Sequence, residues 1–105
     1  MEEKEYKTFA EFYPFYLDQH IKLGTRLTHF IGTTLFLVFL VRAIVTQQAI
    51  LVLAGVVSAY LFAWIGHFFI EHNKPATFKY PWMSLKGDFK LYFEILIGKQ
   101  GFKGE

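Results

Sequence analysis

Two long apolar runs separated by three residues constrain this chain more than any other feature of its sequence. Residues 27–45 (LTHFIGTTLFLVFLVRAIV) and 49–70 (AILVLAGVVSAYLFAWIGHFFI) each approach the roughly 20 residues that a helix needs to cross about 30 Å of hydrocarbon. The connector, Thr46, Gln47 and Gln48, is near the shortest that can reverse a helix. The spans are therefore expected to lie antiparallel, with both termini on one side.

Composition points to lipid as the solvent. Hydrophobic residues are 53% of the chain, and 13 Phe, 6 Tyr and 2 Trp are more ring surface than 105 residues could bury in water. Nothing resembling a linker divides the sequence, so 1–105 reads as one membrane domain. The net charge of +2 is small and its basic residues are dispersed, which argues against a nucleic-acid partner. Lys4, Lys7, Lys22 and Arg26 precede the first span and six lysines follow the second, against Arg42 alone toward the connector. By the positive-inside rule both termini are expected to be cytoplasmic. The acidic, mixed start MEEKEYKTF does not read as a cleaved signal peptide. Without cysteine, any metal must be held by His, Asp or Glu.

The flanks carry their own pattern. Around residues 9–22, Phe9, Phe12, Tyr13, Tyr16 and His20 share one helical face and Glu11, Asp18 and Lys22 the other, with Pro14 near the first turn. This predicts an interfacial helix. Pro75 should end the second span within a residue or two, and KYPW at 79–82 suits headgroup depth. A second interfacial helix is expected at about 85–97, closed by Gly98. The fold class is thus an all-α membrane protein, a two-span hairpin flanked by N- and C-terminal interfacial helices. Gly32, Gly55, Ser58 and Ala59 permit close helix contacts and leave a homo-oligomer open.

His29 lies just inside the start of the first span and His67 just before the end of the second, so the hairpin sets them at similar depth. A turn at Leu23, Gly24 and Thr25 would fold His20 back toward His29. Glu71 shares a helical stripe with His67, whereas His72 points elsewhere. Polar side chains in a span are costly and face a partner or cavity. A mononuclear iron site built from His20, His29 and His67, with Glu71 next, would explain the clustering. Spacing alone leaves open histidines that only hydrogen-bond backbone or headgroups, a lipid-binding hairpin without catalysis, and a pair of axial haem ligands for electron transfer. A two-iron centre like that of membrane desaturases would need more than the four histidines present. Neither span carries the mid-membrane ionisable group of a transporter.

Three strings, FYPFYLDQH at 12–20, RLTHFIGT at 26–33 and GHFFIEHNKPATF at 66–78, resemble the small membrane 2-hydroxy fatty acid dioxygenases, over nearly the whole chain. Fungal members of that family act in the breakdown of phytosphingosine to odd-numbered fatty acids. Asn73, Lys74 and SLKGDF at 84–89 are similar to its short bacterial members, which implies a bacterial inner membrane. The resemblance implies an Fe(2+)-dependent α-oxidation in which a long-chain 2-hydroxy fatty acid and O2 yield a fatty acid one carbon shorter, with no organic cofactor. His20, His29 and His67 match the family's histidines, and Glu71, Pro75 and Ala76 the positions after the last of them. The implied roles are His20, His29 and His67 on the metal, Glu71 completing or orienting the shell, and Arg26, one turn before His29, meeting the substrate carboxylate. His72 is peripheral.

Overall fold

The computed structural model describes residues 5–103, so Lys4 of the N-terminal basic set lies outside the described residues. Four helices follow one another: α1 (Phe9–Asp18), α2 (Leu23–Thr46), α3 (Ile50–Glu71) and α4 (Pro81–Leu96). The last stretch of α3, Gly66–Glu71, widens into a π-helix, and a 3-10 turn (Ala76–Phe78) precedes α4. The chain is all-α, with α2 and α3 forming the expected hairpin.

Both hairpin helices are long and apolar enough to cross a membrane. Val38, Val41, Ile44, Leu53, Val57 and Leu61 are each more than half exposed, which would be costly in water and is what lipid-facing helices require. The reversal falls at Gln47–Ala49, one residue later than the sequence suggests, because Gln47 takes the left-handed conformation (φ 56°) and the Gln48 N–H returns to the Ala43 carbonyl. Small residues let the helix backbones approach. A Cβ on Gly32 would sit 3.0 Å from the Ala59 carbonyl, one on Gly55 3.0 Å from Phe39 Cβ, and one on Gly66 2.4 Å from Thr28 Oγ1. Gly32 and Gly55 thus serve a contact within the chain.

The flanking helices pack on each other and on the hairpin. Thr8 caps α1 by accepting the Glu11 N–H. Pro14 lies inside α1 on its exposed face, so the Ala10 carbonyl that its ring leaves unpaired stays accessible. On the opposite face Phe12, Tyr13 and Tyr16 bury against Leu91 of α4. The Tyr13 hydroxyl donates to Glu94 and the Tyr16 hydroxyl to Asp88, which fixes the two helices antiparallel. Gly87 makes room for the Tyr16 ring, since a Cβ there would lie 2.9 Å from it. From α4, Tyr92 stacks on Phe30 and its hydroxyl pairs with Thr34 Oγ1 at 2.9 Å, docking the helix on α2. Pro81 occupies the first turn of α4, so the helix starts four residues before the expected 85, and Gly98 (φ 83°) follows its end as expected.

Candidate metal centre

The three histidines come from three different elements. His20 sits in the turn after α1, which ends at Asp18 rather than 22, so the chain reverses between Gln19 and Lys22. His29 lies in the second turn of α2 and His67 at the start of the π-helix. They are 1%, 7% and 2% exposed, and one ligand nitrogen from each lies within 4.8 Å of the others. Ring centroids are 4.3, 4.5 and 4.9 Å apart, with the planes 77–88° to one another. The Nε2 atoms of His20 and His29 are 3.0 Å apart.

Which nitrogen faces inward follows from the partner of the other. His20 Nδ1 is 2.6 Å from the Tyr16 carbonyl and His29 Nδ1 is 3.0 Å from the Thr25 carbonyl, acceptors that require a proton on Nδ1. His67 Nδ1 lies 2.7 Å from Asn73 Oδ1, and the Asn73 amide donates to the Gln19 carbonyl, which fixes the oxygen toward the imidazole. All three Nε2 atoms are therefore bare lone pairs. Two of them facing at 3.0 Å repel unless a cation or proton lies between them. Metal–nitrogen bonds of about 2.1 Å at right angles place two nitrogens about 3.0 Å apart, so the donor set fits a metal that takes neighbouring octahedral positions. Burial, and then the neighbouring imidazoles, push the His20 pKa well below its ordinary value, which keeps this imidazole neutral.

Arg26 and Glu71 support His20 from either side. The buried Arg26 guanidinium donates from Nε to the His20 carbonyl at 2.6 Å, and from Nη1 to Gln100 Oε1 and the Gly101 carbonyl. Glu71 Oε1 accepts the N–H groups of Ile21 and Lys22 at 2.7 and 2.5 Å. The partner of His67 is Asn73, which sequence reasoning missed. Helical register points to Glu71, but the π-helix alters that register, and the left-handed His72 (φ 63°) then turns the chain so that Asn73 folds back. For the same reason α3 ends four residues before Pro75. His72 is exposed and outside the cluster.

Beside the imidazoles lies a space of about 10 Å³, enough for a single water or ion, whose wall includes Pro75, Ala76 and, from α4, Ser84 and Asp88. The Asp88 pKa is pushed up to about 7 by burial, partly offset by the hydrogen bond from Tyr16. The Tyr16 ring stacks on His20 with centroids 4.1 Å apart, and its hydroxyl pKa is well above normal through burial and the Asp88 charge. Ser84 is 2% exposed, and its Oγ has no hydrogen-bond partner. Both α4 residues stand in the SLKGDF stretch, where apolar periodicity gives no sign of a polar function.

Compared with known proteins, residues 6–100 match the family described as 2-hydroxy-palmitic acid dioxygenase Mpo1-like. No curated protein and no solved structure matches.

Proposed function

The chain belongs to the Mpo1-like 2-hydroxy-palmitic acid dioxygenase family, and from that premise we propose that it is an iron(II)-dependent dioxygenase of 2-hydroxy fatty acids. The reaction takes the acid and O2 to a fatty acid one carbon shorter, CO2 and water. The bond between C1 and C2 breaks, and O2 accepts the four electrons released as C2 becomes a carboxyl carbon and C1 leaves as CO2.

The observation that carries this reading is the convergence of three buried imidazoles whose Nδ1 atoms are all engaged, leaving three Nε2 lone pairs for one ion. His20, His29 and His67 would hold the iron. Bound there, iron(II) supplies oxygen activation and a Lewis-acidic anchor for the α-hydroxy acid. The rest of the chain prepares the site. Asn73 orients His67, the carbonyls of Tyr16 and Thr25 orient His20 and His29, and Arg26 and Glu71 clamp the turn that carries His20. The position of Arg26 suits a positioning residue better than a contact to the substrate carboxylate, because its hydrogen bonds go to His20, Gln100 and Gly101.

The location also fits the substrate. The cluster lies where both apolar helices meet the termini, so an amphiphile can present its head there with its chain in lipid. We place the termini in the cytoplasm of a bacterium and the hairpin in its inner membrane, on the distribution of Lys and Arg and the likeness to the short bacterial members.

The test is to incubate purified protein with iron(II), O2 and 2-hydroxypalmitic acid and to look for the acid one carbon shorter by mass spectrometry. Product that depends on iron and is lost in His67→Ala is expected. Iron bound tightly with no product from 2-hydroxy acids of several chain lengths would overturn the reaction, and absence of iron uptake would favour a non-catalytic hairpin. A haem reading gains nothing from the geometry. Axial imidazoles sit on opposite faces of a macrocycle, whereas these nitrogens adjoin at 3.0 Å.

A further inference from the structure

Next to the metal centre, α2, α3 and α4 enclose a second space of about 70 Å³. His29, Thr33, Tyr60 and Asp88 give its wall a polar part, and the rest is apolar, including Phe36, Val56, Ala59 and Phe89. Leu85, 41% exposed, stands at its edge, so the space opens toward the lipid-facing surface. His29 and Asp88 border both this space and the small one beside the imidazoles, so the two adjoin at these residues.

The wall of the small space contains an unmet need. Among the described residues, only Thr25 and Ser84 have a buried hydroxyl without a partner. Thr25 lies within α2 beside Gly66, whereas Ser84 borders the imidazole space one helical turn before Asp88. A buried hydroxyl left unpaired costs stability, and a polar ligand atom beside Ser84 would complete it. The ligand must be polar at the Ser84 end and apolar toward Phe36 and Val56.

We propose that this cavity is the substrate seat: the head of the acid lies at the end formed by His29 and Asp88, with one carboxylate oxygen reaching into the small space toward Ser84, and the first methylenes lie between Phe36, Val56, Ala59 and Phe89. The proposal rests on the reading above that the substrate is a 2-hydroxy fatty acid. A space of this size holds a few methylenes and no more, so the rest of the chain leaves past Leu85 into lipid. The protein then gauges the substrate near its head, and the end of the tail touches lipid alone.

Two experiments test this, one of them without turnover. In vesicles holding the iron-loaded protein, a 2-hydroxy acid with a photoreactive diazirine at C4 should label Phe36, Val56, Ala59 or Phe89, and one with the diazirine at the chain end should label lipid. Labelling of the opposite hairpin face by the C4 probe would overturn the seat whether or not the acid is oxidised. Kinetically, Val56→Phe and, independently, Ala59→Leu should lower kcat/KM for long-chain acids about tenfold or more, the scale of a methylene-sized clash. Ser84→Ala should raise KM about tenfold with iron content unchanged, and Ser84→Thr should recover part of it. Wild-type kinetics in both cavity variants would overturn the seat while leaving the reaction intact. Loss of iron from Ser84→Ala would assign Ser84 to the metal and overturn its role in the substrate seat. If the C4 probe labels the cavity but no acid is oxidised, the proposed reaction fails and the seat stands.

Discussion

At the scale of single residues, the site depends on atoms that hold the imidazoles as much as on the imidazoles themselves. Asn73 fixes both the tautomer and the orientation of His67, and its amide is tied to Gln19, next to His20. Asn73→Ala should therefore weaken iron(II) binding by about 10–100-fold, the usual cost of losing such a partner. Titration with iron(II) under anaerobic conditions checks this, and unchanged affinity would mean that packing alone orients the ring. Asp88 gives a pH-dependent expectation. Its pKa rises from an ordinary 3.8 to about 7, so the folded protein holds that proton more tightly than the unfolded chain does. The associated stability is fully present below about pH 4 and is lost as pH rises through about 7. His20, with its lowered pKa, acts in the opposite direction, so the informative quantity is the difference between wild type and Asp88→Asn. In metal-free protein in detergent, the melting temperature of Asp88→Asn should gain on wild type between pH 4 and pH 7.5, and parallel profiles would refute this. Residues of this kind were only partly legible in the sequence. His29 and His67 stood out because polar groups in apolar runs are rare, and His20 because it shares the aromatic face of the first flank, whereas Asn73 and Ser84 sit among polar or mixed neighbours where spacing assigns them no role.

At the scale of elements, the histidines meet because α2 and the end of α3 approach closely at one point. Gly66 allows it, since a Cβ would fall 2.4 Å from Thr28 Oγ1 and push apart the helices that carry His29 and His67. Gly66→Ala should cost about 1–3 kcal/mol of stability, as overpacking does, and should also lower iron(II) affinity. Gly55→Ala is the control, because Gly55 packs on Phe36 and Phe39, away from the imidazoles. It should destabilise comparably while leaving the affinity of the folded fraction near wild type. Iron titration and thermal melting on both variants separate the two effects, and equal loss of affinity would show that helix separation matters everywhere along the hairpin. The existence and antiparallel pairing of these helices were readable from run length and a three-residue connector. The π-helix was not, because a widened turn has the same composition as an ordinary one. That one unreadable turn explains both Glu71, assigned by α-helical register, and the early end of α3.

At the scale of the whole molecule, the proposed metal centre is a closure between parts far apart in sequence, so metal binding and folding should be coupled. His20 is delivered by α1, and α1 is held by α4 through Phe12, Tyr13, Tyr16 and Leu91. The flanking helices are therefore parts of the site, a role that their amphipathic sequences disclose only as an apolar face without naming what covers it. Iron(II) at about 100 times its dissociation constant adds about 2.7 kcal/mol to a protein that binds it only when folded. For a domain of this length each kcal/mol moves the melting temperature by about 4–8 °C, so iron should raise it by about 10–20 °C in wild type and by far less in His29→Ala. Phe12→Ala tests the closure itself. Phe12 is fully buried in the contact between α1 and α4 and is not among the residues lining the imidazole space. Its truncation should cost about 3–5 kcal/mol. If α1 docks as a unit, most of that loss falls on the placement of His20, and iron(II) affinity drops with α2 and α3 still helical by circular dichroism. Iron binding that stays at the wild-type level in Phe12→Ala would show instead that the clamp of Arg26 and Glu71 on the 20–22 turn holds His20 without α1.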